Sequence, residues 1–172
     1  MKNHLALALA ALVISTTCCK GLDDITIAPT RKKLEEEKAR TGSSKSAKSR
    51  QIVYTVKVTS RSFKELQNVT VKYNIYYEDN ELGSKSDGDV KTIAGSQSFP
   101  SLLNNKPVEF DTKSVELTTA ALDGGWYFTN GGKSIAKDKV VGLWFRAYDA
   151  EGKQIGEYVN PSTVTKKQKW KE

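Results

Sequence analysis

Histidine and cysteine are nearly absent from this sequence of 172 residues. Its one histidine is His4, and its two cysteines are the adjacent pair Cys18 and Cys19. From residue 20 onwards, no imidazole and no thiol is available as a nucleophile, a general base or a metal ligand. Catalysis by Ser–His or Cys–His pairs, zinc sites built from these side chains and internal disulfides are therefore excluded from that part of the chain.

Other patterns that carry chemistry are also weak. No glycine-rich phosphate loop follows a predicted strand and opens a helix, and the acidic residues fall mostly in polar turns. The segment YEDNELGSKSDGDV (residues 77–90) contains oxygen donors suited to calcium. Their spacing does not match an EF-hand loop, and a polar hairpin turn is the favoured interpretation. We expect a protein that is not an enzyme and that holds no cofactor and no metal ion.

The longest uninterrupted apolar run spans residues 5–14. As a helix it would rise about 15 Å, roughly half the hydrocarbon thickness of a bilayer. A lysine at position 2 precedes the run and small polar residues follow it, which is typical of a signal peptide rather than a membrane span. We therefore predict a signal peptide over residues 1–19 and an exported protein of the periplasm or cell envelope.

The two cysteines lie just behind this apolar run. Their position resembles that in a bacterial lipoprotein signal, in which a cysteine becomes the lipidated first residue of the mature chain. Ser15 and Thr17 depart from the leucine and the small residue that this signal favours ahead of Cys18. The resemblance implies a lipid on Cys18 or Cys19 and N-terminal association with a membrane. Ordinary cleavage nearby, which leaves free thiols, is the alternative.

The net charge of +7 is unevenly distributed. Residues 29–50 carry eight basic and three acidic side chains, and residues 166–172 carry four basic and one acidic, whereas residues 51–165 have a net charge of −1. A nucleic-acid groove would concentrate basic residues on the folded domain, so we expect no nucleic-acid partner. A solvated linker and a basic tail are the favoured interpretation; attraction to anionic surfaces is the alternative.

The segment before residue 51 has the composition of a tether. Lys33 and Glu37, and likewise Glu36 and Arg40, have the spacing of charge pairs one helical turn apart. Residues 41–49 (TGSSKSAKS) have the composition of a flexible linker. We therefore predict a basic linker over residues 20–50 with a short marginal helix at 30–40, a folded domain at 51–165 and a basic tail at 166–172.

From residue 51 onwards, apolar residues recur with the period of two that is typical of half-buried strands. In QIVYTVKVTS, for example, Ile52, Tyr54, Val56 and Val58 share one face. A helical turn is expected at TTAAL (118–122), and a last short strand at 162–170 is an option. Strands are predicted at 51–60, 68–79, 90–99, 108–117, 139–149 and 153–159, the last two forming a hairpin through DAEG (149–152).

This pattern predicts an all-β sandwich of two sheets, of an Ig-like or fibronectin type III-like kind. The segments SRSFKELQNVTVKYNIYYEDNELGS and FRAYDAEGKQIGEY resemble the opening half and the closing hairpin of small Ig-like, FxLYD-type domains of exported bacterial proteins. The resemblance covers roughly forty residues and implies a fold and a compartment, without implying a reaction.

Two groups of aromatic residues are candidate binding residues. In LDGGWYFTNGG (122–132), alternation places Trp126 and Phe128 on one side and Tyr127 on the other. We expect Trp126 and Phe128 to close one end of the core, and a stacking platform for a ligand is the alternative.

The second group lies on the strand GLWFRAYD (142–149), where Trp144, Arg146 and Tyr148 share the face opposite Phe145. We expect a stabilising cation–π ladder there, with a binding stripe as the alternative. Together these features predict a non-catalytic domain that contacts an envelope protein. The alternative is a carbohydrate-binding module that uses exposed aromatic residues to bind a glycan.

Overall fold

The computed structural model describes residues 24–40 and 44–172. The predicted signal peptide and both cysteines lie outside these described residues. The described part of the chain contains nine strands and one short helix: β1 Ile25–Arg40, β2 Lys45–Ser60, β3 Leu66–Asp79, β4 Asp89–Leu102, β5 Val108–Asp111, β6 Val115–Leu122, β7 Ile135–Lys137, β8 Lys139–Tyr148, β9 Gln154–Asn160 and α1 Val164–Lys167.

The strands form two antiparallel sheets, as the two-sheet sandwich prediction required. One sheet has the order β1-β2-β6-β7, with β5 also paired to β2; the other has the order β4-β3-β8-β9. The β8–β9 hairpin is present, and Gly152 in its turn has a φ of 79°, which glycine adopts without strain. The segment 77–90, which contains oxygen donors suited to calcium, forms a hairpin turn, since Asp79 pairs with Asp89 across it.

The core lies between the two sheets and consists of alternating strand residues. Alternate residues of β2 from Ile52 to Ser60 and of β3 from Val69 to Ile75 are buried, and Phe145 of β8 lies against Tyr73 of β3 with ring centroids 5.6 Å apart. Antiparallel sheets often bury one face only, and here the inner faces supply this cluster: Ile25, Ile27, Ile52, Tyr54, Val56, Val58, Val69, Val71, Tyr73, Ile75, Leu102, Val115, Leu117, Leu143, Phe145, Ala147 and Ile155.

The prediction of a linker with a short helix before residue 51 is wrong. Residues 30–40 belong to β1 and residues 45–50 to β2, and the two strands pair from Ile25↔Ser60 to Arg40↔Ser46. A bulge at Leu34 brings Lys33 and Glu36 to the same face, where both Lys33 and Lys48 contact Glu36. Cross-strand pairing to β2 prevails over local helix propensity, which is a weak determinant for a segment without an apolar helical face.

Three smaller expectations are corrected as well. The single strand predicted at 108–117 is two strands, β5 and β6, because Thr112 leaves the ladder to hydrogen-bond with Tyr54 of β2. Residues 118–122 continue β6 rather than forming a helical turn. The optional last strand contains the four-residue helix α1 instead. Among the described residues there is no helix with the length and apolar character needed to cross a bilayer.

The sandwich has two chemically different ends. The proximal end comprises Asp24 and residues 60–66 and 102–106; Arg61 donates its backbone N–H to the carbonyl of Asp24 at 2.7 Å. The distal end comprises residues 79–89 and 122–134, beside the point where β2 begins. The 16 residues of β2 separate the two ends by about 50 Å, at roughly 3.3 Å per residue.

Replacement of Ile27 tests the inclusion of β1 in the core. Ile27 is buried, so we expect Ile27→Ala to lower the free energy of unfolding by about 2–4 kcal/mol, as large-to-small core substitutions do. Leu34→Ala, at an exposed position of the same strand, is the matched control and should change it by less than about 0.5 kcal/mol. Urea unfolding measures both. Equal, negligible effects would restore the linker interpretation.

Candidate functional site

The aromatic segment forms an exposed loop at the distal end, between β6 and β7. Trp126 is 65% exposed and Tyr127 is 77% exposed. The expectation that Trp126 closes the core is therefore wrong. Phe128 is partly buried, but it packs against Gly83 in the turn between β3 and β4 rather than against the core cluster.

Backbone hydrogen bonds hold this loop against the β3–β4 turn. The N–H of Gly83 donates to the carbonyl of Lys133 at 2.9 Å, and the N–H of Lys133 donates to the carbonyl of Ser84 at 2.9 Å. The Lys133 ammonium also donates to Asp87 at 2.7 Å and to the carbonyl of Ser86 at 3.0 Å. This hydrogen bond and the positive charge of Lys133 lower the pKa of Asp87. The two distal loops thus form one connected unit.

Glycines permit this close association. A Cβ at position 132 would lie 1.9 Å from the carbonyl oxygen of Gly83, so no other residue fits there without moving the backbone. The base of the loop is fixed at Asp123, whose N–H donates to the carbonyl of Ser44 at 2.9 Å and whose carboxylate accepts from Ser46 Oγ at 2.8 Å. The loop therefore presents Trp126 and Tyr127 from an anchored backbone.

A polar cleft of about 260 Å³ lies in the β3–β4 turn, on the same end of the molecule. Its lining combines carboxylates with two hydroxyls and one ammonium group, the last of which contacts Asp79. No three acidic, histidine or cysteine side chains converge as metal ligands within the described residues. The cleft is lined by Asp79, Glu81, Ser84, Ser86, Asp87, Gly88, Asp89 and Lys91.

The second aromatic group lies on the outer face of β8. Trp144 is buried there, and its indole N–H donates to Glu157 at 2.9 Å. The guanidinium of Arg146 lies 4.4 Å from the Trp144 ring centroid and 4.6 Å from that of Trp170, and its Nε donates to the same oxygen of Glu157 at 3.0 Å. These contacts favour the interpretation of Trp144 and Arg146 as a stabilising cation–π pair rather than as part of a binding stripe. Tyr148 is partly buried beside Lys72.

Trp170 reaches this face because the C-terminal segment lies across it. Val164 fills the space above Gly142, where a Cβ would lie 2.3 Å from a Val164 methyl group. The hydroxyl of Tyr76 donates to the carbonyl of Lys169 at 2.9 Å, and burial raises the pKa of this phenol. The predicted basic tail is therefore docked on the sheet, although its lysine side chains remain exposed.

Sequence reasoning missed two determinants of these surfaces. Trp170 was assigned to the tail, although a tryptophan within a lysine-rich segment is itself a signal of docking, because its apolar area needs a partner. The exposure of Trp126 was missed because alternation applies to strands. The flanking Gly124, Gly125 and Gly131, all with positive φ, belong to a loop in which alternation has no meaning.

Comparison with known proteins adds little to this description. Neither a family model nor a curated protein matches the sequence. A solved structure provisionally named as ApaA from Bordetella pertussis overlaps 79% of this chain and 91% of its own, at 12% identity and a TM-score of 0.38. A structure from Akkermansia muciniphila overlaps 86% of this chain and 77% of its own, at 9% identity and a TM-score of 0.31. No inference about this chain rests on these distant overlaps.

Among the three consecutive aromatic residues 126–128, substitution of the first and of the last should change the stability by different amounts. Phe128→Ala removes the ring that packs on Gly83, so we expect the free energy of unfolding to fall by about 1 kcal/mol, less than for a fully buried phenylalanine. Trp126→Ala is the matched control and should stay within about 0.5 kcal/mol of the wild type. Urea unfolding monitored by circular dichroism distinguishes them. A larger loss for Trp126→Ala would return that residue to the core.

Proposed function

We propose that this chain is a non-catalytic, exported domain of Ig-like type, held at the cell envelope by its N-terminus, which binds an envelope protein through its distal loop. The observation that carries this proposal is the adjacent exposure of Trp126 and Tyr127 on an anchored backbone. Aromatic side chains of this kind lose little conformational freedom on binding and bury a large area, so they dominate many contact surfaces.

The order of the strands supports the Ig-like type. In Ig-like sandwiches of the variable kind, strand C′ joins the sheet formed by C, F and G, and β4-β3-β8-β9 follows that order. On the same scheme, β1, β2 and β6 take the places of strands A, B and E. The short strand β7 pairs with β6 at the edge where strand D lies in the constant type, although it follows β6 in the chain.

The hydrogen bonds of two acidic side chains, the buried Asp138 and the more exposed Glu157, support a non-catalytic domain. Asp138 is buried, and its two carboxylate oxygens accept hydrogen bonds from the backbone N–H groups of Asn80 and Thr118, each at 2.8 Å. It thereby fastens the β3–β4 turn to β6. Glu157 is similarly committed to Trp144 and Arg146. These two carboxylates therefore act as structural hydrogen-bond acceptors.

A crosslinking comparison tests the proposed contact. The full-length protein, its Trp126→Ala/Tyr127→Ala variant and a Leu34→Ala control are crosslinked in envelope preparations, and the captured species are quantified. We expect a partner captured by the wild type and the control to fall at least about tenfold with the double variant, as for hot-spot residues. Equal capture by all three proteins would place the contact elsewhere.

Carbohydrate binding is the second candidate function, and the polar cleft beside the aromatic loop favours it. Aromatic faces stack against sugar rings, while carboxylates and hydroxyls such as Asp87, Ser84 and Ser86 accept and donate the hydrogen bonds that hydroxyl-rich ligands need. Phe128 connects the two features by packing on Gly83.

Titration with envelope polysaccharides distinguishes this candidate. If glycans bind, intrinsic fluorescence should change in the wild type, and Trp126→Ala should abolish at least about half of that change because Trp144 is buried and Trp170 is partly buried. Absence of any change across a broad panel, with Trp126 still quenched by acrylamide, would remove carbohydrate as the ligand.

A further inference from the structure

The proximal end exposes two apolar side chains that the distal contact does not use. Phe63, in the turn that joins β2 to β3, is 97% exposed, and Leu103, just after β4, is 42% exposed. Single exposed apolar residues are common on protein surfaces, but Phe63 buries almost none of its area within the described part of the chain. These two residues occupy the same end of the sandwich.

Backbone contacts place them together with the first described residue. Arg61 donates its N–H to the carbonyl of Asp24, Asn105 donates its N–H to the carbonyl of Ser60 at 2.9 Å, and Leu66 pairs with Leu102 across the sheet. The turn that carries Phe63 and the turn that follows Leu103 therefore flank the position at which the chain enters the fold.

The chain ahead of this position is short. Only six residue steps separate Cys19 from Ile25, which span about 20 Å at most when fully extended. The apolar run at 5–14 ends eleven steps before Ile25. Because residues 25–40 and 45–50 belong to strands rather than to a linker, the proposed anchor at Cys18 or Cys19 would hold the proximal end within this distance of the bilayer.

The two ends differ in charge. The two loops of the distal end, residues 79–89 and 122–134, carry five acidic and two basic side chains, so an anionic bilayer repels these loops. The proximal end and the adjoining β8–β9 turn (residues 149–153) together carry four charges of each sign, so the exposed apolar residues decide whether this end associates with a bilayer. Its charged residues are Arg61, Lys64, Lys106 and Lys153 against Asp24, Glu65, Asp149 and Glu151.

From these observations we infer that the proximal end is a bilayer-docking surface, with Phe63 and Leu103 inserted at the interface between headgroups and acyl chains. Arg61, Lys64 and Lys106 lie beside them at the level of anionic headgroups. This inference rests on the N-terminal anchoring in the proposed function. It adds an orientation, in which the distal loop points away from the membrane by the length of β2.

Quenching by brominated lipids tests this orientation. Full-length Phe63→Trp protein is bound to vesicles with about one third anionic lipid and brominated acyl chains. Interfacial side chains lie roughly 5–10 Å into the boundary, so roughly half of the emission added by the introduced tryptophan should be lost. The matched control is Tyr127→Trp at the distal end, whose added emission should not change.

Each outcome of the experiment has a defined meaning. Quenching at position 63 but not at position 127 supports the docking surface, and neutral vesicles should give a similar result if the apolar side chains dominate. Quenching at position 127 reverses the orientation and overturns the inference. Vesicle binding without quenching at either position also overturns it while leaving the anchor intact, whereas failure to bind vesicles overturns the anchored part of the proposed function as well.

Discussion

The pairing of β1 with β2 is the constraint on which the rest of this structure depends. It converts β2 into an interior strand, flanked by β1 on one side and by β5 and β6 on the other. It also brings Ile25 and Ile27 into the core cluster. The first residues of β1 then close one side of the sandwich by packing against β9. Gly156 of β9 leaves room for the backbone of Ile25, since a Cβ at position 156 would lie 3.0 Å from the carbonyl oxygen of Ile25.

This pairing determines at which end of the sandwich the chain enters the fold. β2 runs from the distal end to the proximal end, and β1 is antiparallel to it, so β1 begins at the proximal end beside Phe63 and Leu103. Trp126 and Tyr127 lie at the other end. The docked C-terminal segment covers the outer face of β3 and β8, where Trp170 lies over Arg146. The most exposed large apolar side chains of the described residues, Phe63, Tyr127 and Trp126, therefore lie at the two ends.

Much of the fold could be predicted from the sequence because the alternating apolar residues of β2, β3 and β8 are the ones that face the core. The first strand was missed because residues 31–35 are exposed on both faces of the strand and residues 33–40 carry charge spacings that also suit a helix. The alternation of Ile25 and Ile27 was the available signal. The site was harder, since the exposure of Trp126 depends on hydrogen bonds between two loops distant in sequence, which no local pattern reports.

Amide hydrogen exchange across residues 25–60 is the most direct test of the β1–β2 pairing. Strand hydrogen bonds in a cooperative core exchange only through large-scale opening. We predict that those amides of β1 between Ile25 and Lys33 that donate to β2 exchange as slowly as the amides of β2, with protection decreasing towards Arg40. Exchange of the whole segment 25–50 at the rate of an unstructured peptide would contradict the pairing, and with it the end at which the chain enters the fold.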